Sequence, residues 1–542
     1  MKKNKFFDMD LEKWIIKAWD SVSPCSKKSF FWMFAIINIV FLWHTVTFFF
    51  GNHDWNSIKA GVLIGWSVFD GRWGAGILQQ VTGGDILPVL NNLFCFAGFC
   101  LAMIALAKYW NIPKTVFTYT VFGLFIMLMP YTHPWLQFVH SETYFWNILL
   151  IVIGFMLIDS KKIYLQLLSV PLFTFSLGCY SAFIEAIVTV YLGKCLLDAW
   201  FEYTDFKDYV KKHYLPVIYI AISSAFFAAT IYLLRDVYHV MISYYSTDVV
   251  GIDTVWQNIL SLPLYLKTAF VTQSPFIPSF FKLLLISAFP ISLFLLPRNS
   301  VLRIFIIVLV IISLALSTQI IQIISVADFS GWLRLDYFCM PYIYAVGFSI
   351  LLRQKKKIWK SLALSMMMIA VYYSALQDFR YQKISYFDFQ REMKVFDDVI
   401  SRIKANPKFS PYKQYNLLRV GSMYIDGQSI YDIYNGGRDL KNNGWIPFVM
   451  NWAGKEFFDF YEKESFIKHV YDYEIESVPL LDDYLLKMDV DYLMNKAEPW
   501  PAQNSVHIDD DHIYIIFSPY YLREIRKRIY YLQNGVELNS GS

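Results

Sequence analysis

Residues 87–107 read LPVLNNLFCFAGFCLAMIALA, twenty-one positions without a charged side chain between Asp85 and Lys108. A helix of that length covers about 30 Å, the thickness of a bilayer's hydrocarbon core, and a helix satisfies its own backbone there. Apolar runs of comparable length recur on both sides, at 29–50, 115–131, 144–158, 163–178, 181–197, 215–234, 278–297, 304–326, 336–352 and 361–378. The composition agrees: 56% hydrophobic, 17% charged and 19% aromatic residues, against roughly 45–50% and 25% for the first two in soluble chains. Aromatic side chains favour the membrane–water boundary. The fold class is therefore a polytopic α-helical membrane protein of about eleven spans.

Charge assigns the direction of the spans. Under the eleven-span reading, twenty-one Lys and Arg fall in the segments on the N-terminal side: 1–28, 108–114, 159–162, 198–213, 297–303 and 353–360. The opposite loops hold five: Lys59, Arg72, Arg235, Lys267 and Arg334. Cytoplasmic loops carry the excess of basic residues, so the N-terminus is expected inside and the chain after 378 outside. Three regions follow. Residues 1–28 form a cytoplasmic segment with an interfacial helix at 9–22, which places Leu11, Ile15, Ala18, Trp19 and Val22 on one face. Residues 29–378 form the transmembrane domain, with long outward loops at 51–86 and 235–277. Residues 379–542 form an outward soluble domain of α+β character, with a helix at 387–403, a turn at Asn406-Pro407, a helix at 456–471 and strands at 415–420, 489–494 and 512–517. The net charge of +4 gives no footprint for nucleic acid. All six cysteines precede residue 340, in or beside apolar segments, and read as packing residues rather than a disulfide framework.

The first outward loop holds the densest set of reactive groups: His53, Asp54, Asp70, Arg72 and Asp85. A carboxylate beside a guanidinium at a membrane surface suits acid–base chemistry on an anionic substrate, because the acid takes a proton while Arg grips phosphate oxygens. A plainer reading of the same letters makes Asp54 a helix cap and Asp70-Gly71 a tight turn. Other charges lie near the same level: Glu142, Asp236, Lys282, Asp328, Arg334 and Asp336, with Glu185 inside a span. An ionisable group within a membrane ordinarily has a partner or a pathway. Lys282 can also snorkel to the interface, Arg334 can simply pair with Asp336, and a helix–helix hydrogen bond would satisfy Glu185. Three Asp-X-Asp pairs, Asp8/Asp10, Asp489/Asp491 and Asp509/Asp511, lack the surroundings of a metal site. No phosphate-binding loop, dinucleotide fingerprint, zinc-protease or nucleophile-elbow motif is present.

The order of pieces in the outward loops is similar to a known family. A first span is followed by Asp54-Trp55, then Gly61 to Trp66, then Asp70-Gly71-Arg72. Glu142 stands in the second outward loop and Gly178-Cys179-Tyr180-Ser181 between spans five and six. This resembles the serotype-converting O-antigen glucosyl transferases known as Gtr type II, over about residues 30–350. Family members often carry two adjacent acids where this chain has His53-Asp54, and Tyr-Gln where it has Tyr180-Ser181.

The resemblance implies a GT-C-type membrane glycosyltransferase of the bacterial inner membrane. Such an enzyme takes a hexose, glucose in this family, from a polyprenyl-phosphate carrier and passes it to a surface polysaccharide such as O-antigen on the periplasmic face. Its partners would be the lipid-linked donor, the polysaccharide acceptor and the bilayer. Under that reading Asp54 is the first choice for the base, with Asp70 and Glu142 behind it. Arg72 receives the departing phosphate, with Arg334 and Lys282 as alternatives, and His53, Trp66 and Tyr180 touch substrate. No metal is obligatory, since phosphate leaves readily once its charge is met. Two other classes are expected to look similar from a distance. A polysaccharide polymerase or ligase would use a pyrophosphate-linked donor. A flippase for lipid-linked sugar would show inverted repeats, which the sequence does not display.

Overall fold

The computed structural model describes residues 20, 22–46, 62–80, 87–132, 142–242, 251–271, 277–297, 300–324, 338–420, 475–477 and 485–535. In chain order the helices are α1 (Pro24–Val40), α2 (Leu42–Val46), α3 (Val62–Phe69), α4 (Trp73–Gln79), α5 (Pro88–Tyr109), α6 (Val116–Met127), α7 (Glu142–Ile158), α8 (Ile163–Leu167), α9 (Ser169–Cys179), α10 (Phe183–Phe201), α11 (Phe206–Tyr232), α12 (Ile252–Phe270), α13 (Ser279–Ile286), α14 (Ala288–Leu293), α15 (Val301–Ser317), α16 (Ile320–Ile324), α17 (Met340–Leu352), α18 (Lys357–Ala405) and α19 (Pro519–Asn534). The strands are β1 (Tyr415–Val420), β2 (Ile475–Ser477), β3 (Val506–Ile508) and β4 (His512–Ile516). The chain is a helical membrane protein with a small sheet near its end.

Local chemistry starts several of these helices. Ser23, Thr115, Asp205, Ser300 and Ser518 each accept the amide hydrogen three residues on, and Pro24 and Pro519 supply a first helical residue that needs no donor. Each of the eleven apolar runs contains helix. Among the described residues, three segments are long and apolar enough to cross a bilayer: Val89–Tyr109, Phe206–Val237 and Lys357–Lys383. Several other runs are divided into shorter helices, as at α8/α9 and α13/α14. The interior is filled by large aromatic and aliphatic side chains, among them Trp110, Phe96, Tyr131, Tyr342 and Tyr344, all buried. α17 is buried along its whole length, so it runs through the middle of the bundle. All six cysteines are free, five of them buried and Cys25 half-buried.

The division placed after residue 378 falls inside a helix. The last apolar run and the helix expected at 387–403 are one helix, α18, of 49 residues, about 73 Å long at 1.5 Å per residue. Lys357–Ala405 contains neither Gly nor Pro, so nothing in the backbone stops it before Asn406-Pro407.

The far end of α18 enters the small sheet, whose strand order is β2-β1-β4-β3. β1 pairs parallel with β2 and β4, and β3 antiparallel with β4. Alternate residues serve opposite faces, as the period of a strand requires. Leu417, Ile513 and Ile515 share one core with Val399, Ile400 and Ile403 of α18. Leu418, Tyr514 and Ile516 share the other with Leu522, Ile525 and Ile529 of α19. The sheet is thus covered on both faces.

The strand expected at 489–494 is not formed. The Asp489 carboxylate accepts the Tyr492 amide at 2.9 Å, and a helical turn follows over Tyr492–Lys496. Local side-chain bonding competes here with the extended backbone. The interfacial helix at 9–22 and the helix at 456–471 lie outside the described residues, apart from positions 20 and 22.

Candidate functional site

The Asp70-Gly71-Arg72 turn joins α3 to α4. Gly71 adopts φ +71°, a conformation open to glycine. Its amide donates to the Val68 carbonyl at 2.9 Å, and the Arg72 amide to the Ser67 carbonyl at 2.7 Å. This is the two-bond helix ending of the Schellman type. The plainer sequence reading, a tight turn, therefore holds, and the turn also brings two functional groups together. Arg72 Nη2 stands 3.2 Å from Asp70 Oδ2, with both side chains about one-third exposed.

A second chain segment completes the cluster. The Arg72 guanidinium lies over the Tyr180 ring, 4.7 Å from its centre. The Tyr144 and Tyr180 rings meet edge to face at 5.6 Å and 71°, and both are buried. Burial opposes the charge on Arg72, but Tyr144, Asp70 and Tyr180 raise it above the ordinary guanidinium value.

Two glycines allow this meeting. A β-carbon on Gly74 would stand 2.8 Å from the Phe175 carbonyl oxygen and 2.9 Å from the Cys179 nitrogen. One on Gly178 would run into the Trp73 ring. Trp73 also stacks edge-on against Phe175 at 5.7 Å. The Trp73-Gly74 and Gly178-Cys179 pieces, far apart in sequence, are therefore one close contact between α4 and α9. It sets Arg72 against Tyr180.

Of the residues nominated from sequence, Asp70, Arg72 and Tyr180 are brought together. His53, Asp54 and Arg334 lie outside the described residues. Trp66 falls in α3 and Glu142 opens α7, but their side chains are outside the described set. Lys282 is engaged with a helix end. It is fully buried on α13, and its ammonium donates to the carbonyls of Thr268 at 3.1 Å and Ala269 at 2.9 Å, at the end of α12. A cation there meets the negative end of the helix dipole. Glu185 accepts the Ile321 amide at 3.0 Å, across to α16.

Tyr144 was not nominated from sequence. The only signal for it was its position two residues after Glu142, at the start of an apolar run already rich in aromatics.

The opposite end of the same helices carries a different set of charges. α10 begins beside Tyr180 and runs 19 residues, about 28 Å, close to the thickness of a hydrocarbon core. At its far end Asp198 takes Lys194 at 2.6 Å and Lys212 at 2.8 Å, and Glu202 takes Lys212 at 2.8 Å and Arg353 at 3.1 Å. Arg303 donates to the last α10 carbonyls, those of Ala199 at 2.8 Å and Trp200. Burial works against the Glu202 carboxylate, but Lys212, Lys194 and Arg353 hold its carboxyl down at about 2.

The Asp489/Asp491 and Asp509/Asp511 pairs build turns. Asp489 bonds His507 at 3.0 Å, and Asp491 pairs with Lys496. Asp509 accepts Tyr514 at 2.5 Å and the His512 amide at 2.6 Å. Those donors, with the Asp511 amide, outweigh its partial burial and hold Asp509 below the usual carboxylate range. Among the described residues no three His, Cys, Asp or Glu side chains gather where they would hold a metal ion. No family model, curated protein or solved structure matches this chain.

Proposed function

We propose that this chain is a GT-C-type membrane glycosyltransferase that moves a hexose, glucose by the family resemblance, from a polyprenyl-phosphate carrier to a surface polysaccharide such as O-antigen. In this reading the chain crosses the bacterial inner membrane eleven times, with a cytoplasmic N-terminus and the sheet domain in the periplasm. The observation that carries it is the seating of Arg72 by Asp70 and by Tyr180, which Tyr144 braces. The site stands about one bilayer core from the basic end of α10. A guanidinium held at that level meets the phosphate of a lipid whose tail remains in the bilayer. A nucleotide-linked donor would be confined to the other side.

The reaction is a single in-line displacement. A first-loop carboxylate, Asp54 with Asp70 and Glu142 as the other candidates, takes the proton of an acceptor hydroxyl. The acceptor oxygen bonds the anomeric carbon as its bond to the phosphate oxygen breaks, and configuration inverts. The bonding pair leaves on polyprenyl phosphate, where the growing charge meets Arg72. Asp70, paired with Arg72, orients the guanidinium in the resting site.

Sugar transfer by membranes carrying wild type, Asp54→Asn, Asp70→Asn, Glu142→Gln and Arg72→Ala tests this. Each receives polyprenyl-phosphate glucose and its host's polysaccharide. Loss of transfer in one acid variant at normal expression supports the reading and nominates the base. Full activity in all three acid variants removes the site. A wild type that consumes no lipid donor removes the transferase reading in favour of flipping or assembly.

A further inference from the structure

Arg72 is held in a way that an ordinary surface arginine is not. A free arginine loses considerable side-chain entropy when a ligand fixes it, and that loss weakens binding. Here two neighbours hold different parts of the group and a third braces one of them. Asp70 takes Nη2 at 3.2 Å, the Tyr180 ring covers one face at 4.7 Å, and the Tyr144 ring stands 5.6 Å behind Tyr180. The two rings brace each other edge to face, and they are only 3% and 6% exposed, whereas the Arg72 side chain is 28% exposed. The seat is rigid and buried, and the group it holds is open on one side.

We propose that Tyr144 and Tyr180 are positioning residues that fix the plane of Arg72 so that its open edge takes a single phosphoryl group of the lipid carrier. This rests on the transferase reading and adds to it the residues that prepare the anion site. Five N–H donors in a planar fork suit phosphate oxygens, and Asp70 faces only the Nη2 nitrogen. A single guanidinium balances the charge of one phosphoryl group, so a monophosphate carrier is better matched than a diphosphate. A lysine in place of Arg72 would keep the charge but lose both the stack and the fork.

The test is binding, independent of transfer. Full-length protein in detergent is titrated with a short-chain prenyl monophosphate, with the matching diphosphate and with the matching prenyl alcohol. Wild type is expected to bind the monophosphate more tightly than the diphosphate and to ignore the alcohol. Tyr144→Phe, which removes the hydroxyl that favours the Arg72 charge, should weaken monophosphate binding about fivefold to tenfold, the upper part of the range for one ordinary polar interaction. Tyr180→Leu should weaken it about tenfold as the ring face is lost, with Tyr180→Phe restoring most of that. Monophosphate affinity unchanged in Tyr144→Phe and Tyr180→Leu, while Arg72→Ala abolishes it, overturns the positioning role and leaves the phosphate role of Arg72 standing. The positioning role is equally overturned if these variants only lower thermal stability. If Tyr180→Leu fails to fold, Tyr144→Phe decides alone. Unchanged binding in Arg72→Ala removes the phosphate site itself, and with it this proposal.

Discussion

The Trp73 indole lies against the Cα of Gly178, in the space a β-carbon would need. Gly74, the next residue, presses on the Phe175 carbonyl and the Cys179 amide of the same helix end. These are contacts to backbone and to a packed ring, which cannot yield as the tip of a flexible side chain would. Gly178→Ala is therefore expected to force α4 and α9 apart and draw Arg72 off Tyr180. Overpacking of this kind costs about 1–3 kcal/mol, and sugar transfer should fall at least tenfold if Arg72 is misplaced. Gly65→Ala, nearby in α3, meets nothing within 4 Å and is expected to hold or slightly raise stability. Thermal unfolding of the two variants, with transfer measured beside it, checks the pair. Equal behaviour of Gly178→Ala and Gly65→Ala would show that the close approach does not set the site.

Lys282 separates two roles cleanly. Sequence alone made it a candidate for the donor phosphate or a snorkelling side chain, but its ammonium is bonded to the Thr268 and Ala269 carbonyls. Lys282→Met keeps the length of the side chain and leaves those carbonyls without that donor, at about 1–3 kcal/mol. The expected result is faster hydrogen exchange at the end of α12 and a lower melting temperature. The affinity for a prenyl monophosphate is expected to stay as in wild type. Lost phosphate affinity without any change in α12 exchange would return Lys282 to the donor site.

Glu202 gives the basic end of the bundle a pH signature. Its carboxyl is held down at about 2 by Lys212, Lys194 and Arg353 against the effect of burial, below the ordinary value of about 4.3. A group lowered in the folded state adds stability that is fully present above its unfolded value and lost as pH falls through the folded one. Stability should therefore decline between about pH 4.5 and pH 2 in wild type. Glu202→Gln should be less stable at neutral pH and show a shallower decline over that window. Identical acid profiles would mean that the ion pairs contribute nothing measurable, as solvent-screened pairs often do.

Apolar runs are legible because a span needs length and hydrophobicity, both of which are counted directly. The Asp70-Gly71 turn is legible from its residue types. The seat of Arg72 was only half legible. Asp70 and Tyr180 were nominated beside it, but Tyr144 is one aromatic among many, and its role exists only once α7 and α9 are side by side. The strand expected at 489–494 failed because Asp489 caps its own downstream turn, a local bond that alternation of apolar residues does not register. At 378 the case is different. Hydropathy changes there, yet nothing in the covalent chain ends a helix until Asn406.

That unbroken helix makes Arg402 the hinge pin of the sheet domain. Its guanidinium lies 4.2 Å over the Trp500 ring and donates to the carbonyls of Ala502 at 2.6 Å and Pro501 at 3.0 Å and to Ser505 Oγ at 3.2 Å. Hydrogen bonds to a charged group are worth about 1.5–3 kcal/mol, so Arg402→Ala should open this face of the domain at least tenfold more often. Arg402→Lys should recover little, because a point charge reproduces neither the fork nor the stack. Limited proteolysis reads the result as faster cleavage within 406–535, with the bundle helices cut at the wild-type rate. Transfer measured on the same samples then assigns the domain. Activity that falls with its opening makes the domain at the end of α18 part of acceptor handling, and activity that persists confines the reaction to the bundle. Equal cleavage of Arg402→Ala and wild type would show that Val399, Ile400 and Ile403 alone hold the sheet.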